Sequence, residues 1–142
     1  MARKKKLFQT DSTFEGVLFG IVTLLRDYQL CWHLNKSLQF EMKMMDDLEI
    51  THKKKNRTAV FSWFKYEDDL DKLMVYLLSN KHLGENLIPE MKQLDFILMM
   101  QGEISEERKK EILGIIKEIH SVQLAMEIDY SGLVSKSNLI LE

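Results

Sequence analysis

The order of hydrophobic patterns predicts an α+β domain: two layers, with a largely antiparallel sheet and two or three helices on one side. Three observations predict it. Several strand-like runs follow one another with only short connections, which join antiparallel neighbours. Two other segments switch to steps of three and four residues, the period of a helix. The chain has 142 residues, 45% hydrophobic and 30% charged, enough to bury a core without metal or disulfide. Residues 1–142 therefore read as one domain, with 1–12 a basic flexible tail and 131–142 a short helix or tail.

Phe14 to Leu24 puts Phe19, Ile21 and Thr23 on one face and Leu18, Val22 and Leu24 on the other. Apolar residues on both faces predict a strand covered on both sides. The period changes at Asp27, placed here as an N-cap, and Tyr28, Cys31, Trp32 and Leu38 form one helical stripe with Leu24 and Leu25 behind them. Phe40 to Ile50 reads as a strand interrupted near Asp46 and Asp47, and His52 to Arg57 as a solvated turn. Thr58 to Tyr66 is rich in aromatic and β-branched residues and reads as a single strand. Glu67, Asp68, Asp69 and Asp71 make an acidic turn before a strand over Lys72 to Ser79. Asn80 to Asn86 is a polar loop, and Pro89, which cannot donate to a ladder, belongs to loop or edge. Leu94 to Met100 is a buried central strand. Ser105 caps a second helix whose apolar stripe is Ile112, Ile115, Ile116 and Ile119. Val122, Leu124, Met126 and Ile128 then alternate with Gln123, Ala125, Glu127 and Asp129, a strand with one solvated face.

The formal charge of −2 conceals a division along the chain. Residues 1–66 carry 12 basic and 7 acidic side chains, a balance of +5, whereas residues 67–142 carry 8 and 15, a balance of −7. Such a division suits faces that compensate within one domain or a basic face offered to an acidic partner. Arg3 to Lys6 precede the apolar run Gly16 to Leu25, but Asp11 and Glu15 intervene and no small-residue cleavage site follows, so neither a secretory signal nor a membrane span is expected. A single cysteine, Cys31, among apolar neighbours points to the cytoplasm.

Ile88 to Phe96 reads IPEMKQLDF. This resembles the signature of the bacterial IPExxxVDY family: Ile88, Pro89, Glu90 and Asp95 match it, while Leu94 stands for Val and Phe96 for Tyr. Asp27 to Trp32, Asp47 to Ile50, Tyr66 to Asp68 and Leu78 to Lys81 extend the likeness over most of the chain. The resemblance implies a small cytoplasmic protein without an assigned activity. Phe96 lacks a phenolic hydroxyl, so its ring is expected to pack rather than to react.

Glu90 and Asp95 would need contrasting environments to act as acid and base; amide capping is the simpler expectation. The acidic turn lacks EF-hand spacing, and His33, His52, His82 and His120 are isolated. Phosphate-cradling glycine loops and nucleophile elbows are absent from the sequence. No catalytic, cofactor-binding or metal residues are therefore assigned, and no cofactor is expected. Lys53, Lys54, Lys55 and Arg57 precede Phe61, Trp63, Phe64 and Tyr66, a basic turn beside an aromatic strand that could neutralise phosphates and stack bases. The leading expectation is a noncatalytic protein-interaction or adaptor module, with an unknown protein partner or a second copy as a homodimer. The alternative is an RNA-binding accessory protein using residues 53–57 and 61–66.

Overall fold

The computed structural model describes residues 14–52 and 57–139. Its centre is a six-stranded sheet built from β1 (Gly16–Thr23), β2 (Lys43–Met44), β5 (Trp63–Asp68), β6 (Leu73–Ser79), β9 (Phe96–Gln101) and β10 (Val122–Ile128). Their order is β10-β1-β9-β6-β5-β2, and every neighbouring pair is antiparallel. Two helices, α1 (Asp27–Leu38) and α2 (Glu106–Glu118), lie on one face. The remaining strands form two ribbons, β3 (Leu48–His52) with β4 (Arg57–Phe61) and β7 (Lys81–His82) with β8 (Glu85–Asn86). The fold is α+β with an antiparallel sheet, as the sequence predicts.

Alternation in the strands builds two cores. Val17, Phe19, Ile21, Val75, Leu77, Leu98 and Met100 face the helices and pack on Leu30, Leu34, Leu38, Ile112 and Ile116. Leu18, Tyr76, Leu78, Ile97 and Met99 face the other way, onto Leu48, Ile50, Ala59 and Phe61 of the β3–β4 ribbon and onto Leu133 and Leu139. Leu133 directly follows a 3₁₀ turn at Tyr130–Gly132 and Leu139 ends another at Lys136–Leu139, so part of the expected C-terminal tail closes the second core. Both faces are dry because the central strands are apolar on both, and each buried face needs its own cover. The predicted tail over 1–12 lies outside the described residues.

Several local expectations are corrected. The strand read over Phe40 to Ile50 is two strands in different sheets, β2 at the edge of the main sheet and β3 in the ribbon. The single strand over Thr58 to Tyr66 likewise changes partner at Ser62, whose carbonyl accepts the Ser79 amide at 3.0 Å. In α1 the buried stripe is Leu30, Cys31, Leu34 and Leu38, leaving Tyr28 and Trp32 outside; Asp27 is the first helical residue, behind Arg26. The Arg26 amide is capped by Gln29 Oε1 at 2.9 Å. The second helix begins as expected, with Ser105 Oγ accepting the Arg108 amide at 3.1 Å. On β10 the predicted solvated residue Ala125 is buried, while Leu124 is 48% exposed. The pairing register slips between Val22 and Thr23, which ends the simple alternation at that end of the strand.

Among the described residues no helix is long and apolar enough to cross a membrane.

Candidate functional site

The Ile88–Phe96 segment closes over a buried amide. Asn80 follows β6 directly and is fully buried. Its side-chain NH2 donates to the carbonyls of Met91 (3.0 Å) and Leu94 (2.9 Å), and its Oδ1 accepts the Ile88 amide at 2.7 Å. Its backbone amide donates to the Asp95 carbonyl and its own carbonyl accepts from Leu87, both at 2.9 Å. A loop that buries Leu87, Ile88 and Leu94 must satisfy its backbone polar groups, and this one amide serves three of them. Pro89 opens a 3₁₀ turn over Pro89–Met91, at a position that tolerates the missing N–H.

The two motif carboxylates serve different neighbours. Glu90 Oε2 accepts the Ser135 amide at 2.7 Å and so ties the C-terminal segment to the loop. Burial alone would raise the Glu90 carboxyl, but hydrogen bonds from the amides of Ser135, Glu90 and Val134 and from the Ser135 side chain outweigh it and hold the pKa below the usual glutamate value. Asn138 Nδ2 adds a second tie, donating to the Leu87 carbonyl at 2.8 Å. Asp95 Oδ2 accepts the Thr23 amide at 2.9 Å, where β1 ends, and Oδ1 meets Lys81 Nζ at 3.0 Å. The Phe96 ring is buried in the helix-side core. Sequence reading singled out Glu90 and Asp95 and passed over Asn80, which looked like one more polar residue opening a loop.

Only part of the basic and aromatic set considered for nucleic acid lies among the described residues. Lys53, Lys54 and Lys55 lie outside the described residues. Arg57 pairs with Glu85 at 2.6 Å. Trp63 is buried and its indole N–H donates to the Asp46 carbonyl, while Phe61 and Phe64 are buried in opposite cores, so these rings offer no stacking platform. The buried Cys31 thiol is pushed up to about 11 by desolvation, with the Asn35 amide opposing and Asp27 adding to the rise, which leaves it a poor nucleophile. Among the described residues no group of three His, Cys, Asp or Glu side chains is placed to hold a metal ion.

One surface stands apart. Tyr28 and Trp32 stand one turn apart on the outward side of α1, each 57% exposed, and Leu24, just before the helix, is 86% exposed. Lys36 Nζ lies 4.9 Å from the centre of the Trp32 ring. Tyr28 also lines an open cleft of about 460 Å³ together with Arg26, Asp47, Ser79, His82 and Phe96. Aromatic rings beside an arginine at the mouth of a cleft are the residue types that dominate protein interfaces. No protein-family model, curated protein or solved structure matches the chain.

Proposed function

We propose that this chain is a noncatalytic protein-interaction module of the cytoplasm, and that the outward side of α1 is its contact surface. The observation that carries this reading is the exposed pair Tyr28 and Trp32 on a helix whose other side is already buried, with exposed Leu24 just ahead of it. Those side chains do nothing for the core. Two aromatic rings on a rigid helix lose little freedom when covered, which makes them efficient contacts for a partner. The resemblance of Ile88–Phe96 to the IPExxxVDY signature is consistent with such a role, since the motif residues spend their polar atoms on the fold: Glu90 on Ser135 and Asp95 on Thr23 and Lys81. A single buried cysteine supports the cytoplasmic assignment.

Affinity capture from cell extract tests the reading, with wild type compared against the Tyr28→Ala/Trp32→Ala variant. A partner held by wild type and lost from the folded variant is the expected result. Capture that is indifferent to the double substitution would count against α1 as the contact surface.

A further inference from the structure

The two edges of the main sheet differ. At one, β2 is only two residues long and carries the exposed Lys43, a length and a charge that discourage further pairing. At the other, β10 runs for seven residues, VQLAMEI, and among the described residues no strand pairs with its outer side. Backbone direction on β10 follows from β1. The Ile21 carbonyl accepts the Asp95 amide and the Glu15 carbonyl accepts the Gly102 amide, so the odd-numbered residues of β1 point toward β9. Ile21 and Phe19, opposite Ala125 and Glu127, are therefore turned away from β10, and the N–H and C=O groups of Ala125 and Glu127 point outward.

Side chains along the regular part of this strand sort in the same way. Ile128 and Met126 belong to the core opposite the helices, and Leu124 continues their row while 48% exposed. We infer that β10 pairs antiparallel with β10 of a second copy, about a two-fold axis through Met126, to make one continuous sheet. Ala125 of each copy then exchanges both backbone hydrogen bonds with Glu127 of the other, using the groups that point outward. Leu124 opposes Ile128, and Met126 opposes Met126, so one side of the junction is apolar along its length.

The occupant is a second copy because a two-fold through Met126, the centre of the regularly paired stretch 124–128, sets the exposed Leu124 of each copy against apolar Ile128 of the other and Met126 against itself. The short, charged β2 edge stops growth at two copies. A five-residue strand pair covers less than the roughly 1,600 Å² of a standard interface, so the dimer is weak and exchanges freely. The Glu127 carboxylates sit diagonally, roughly 7–8 Å apart by strand geometry, and their repulsion further limits the affinity. This surface is separate from α1, and the inference stands whether or not α1 binds a partner.

Two measurements on the intact chain test it. Sedimentation equilibrium is expected to show a monomer–dimer equilibrium with Kd of roughly 10 µM to 1 mM, weakened at least about tenfold by Leu124→Lys on the exposed side of the strand. Oxidation of Met126→Cys is expected to yield a covalent dimer, because opposed non-hydrogen-bonded residues bring their Cα atoms to about 4.5 Å, within disulfide reach. Leu124→Cys, which opposes Ile128, is expected to stay uncrosslinked, and the buried Cys31 thiol supplies no background. A strict monomer at about 1 mM, a dimer untouched by Leu124→Lys, or crosslinking through position 124 in preference to 126 would overturn the proposal.

Discussion

Asn80 shows how much one side chain can hold. It follows β6 at the point where the chain turns into the Leu87–Leu94 loop, and its amide bonds the Ile88 N–H and the Leu94 carbonyl, both buried, and the part-buried Met91 carbonyl. Without it the Ile88 N–H and the Leu94 carbonyl lose their partner, each at about 1–3 kcal/mol, while the Met91 carbonyl keeps the Leu94 amide. Asn80→Ala is therefore expected to lose at least about 2 kcal/mol in urea denaturation, more than a typical single substitution. A loss of a few tenths would show that the loop stands without it. Glu90 makes a different prediction, about pH. Its folded pKa lies below the ordinary value of 4.5, so its stabilisation is present above that pH and is lost as pH falls through the lower, folded value. Glu90→Gln is expected to flatten the stability profile below pH 4.5 and to leave its shape near neutrality unchanged, as read by thermal unfolding across pH. Glu90 and Asp95 were conspicuous in the sequence as charges beside a proline. Asn80 was not, because nothing local distinguishes a buried Asn from a solvated one.

At the scale of elements, α1 separates what periodicity reveals from what it hides. The helix itself was legible, but it has two non-polar sides, Leu30, Leu34 and Leu38 on one and Tyr28 and Trp32 on the other, with exposed Leu24 just ahead of it. Either side fits a 3.6-residue period, and the choice between them is made by the sheet face on which the aliphatic side chains close-pack. Leu34→Ala is expected to cost about 2–5 kcal/mol, and Trp32→Ala within about 0.5 kcal/mol of zero. Chemical denaturation of the two variants reads the difference directly. The strands tell a similar story. Continuous β patterning over Thr58 to Tyr66 conceals a change of sheet at Ser62, because a chain that passes from the ribbon into the main sheet stays extended on either side of the change. By contrast β9 and α2 were legible almost whole: one is apolar on both faces, the other has a capping serine and an isoleucine stripe.

The molecule as a whole is an antiparallel sheet covered twice, by helices on one face and by a β-ribbon and C-terminal turns on the other. Its class was legible because consecutive strands between helices leave few alternatives. The second cover was not, since its pieces are short strands and 3₁₀ turns without a strong period. Once both faces are filled, the aromatic side of α1 is surplus to the fold, and that surplus is the basis of the functional reading. The chain has two tryptophans, Trp63 buried and Trp32 57% exposed, so collisional quenching of fluorescence tests this most directly. One accessible emitter is predicted, absent from Trp32→Phe and shielded once the partner captured in the pull-down is added. Two shielded tryptophans in the isolated protein, or a Trp32 that stays open to quencher in the complex, would contradict the account.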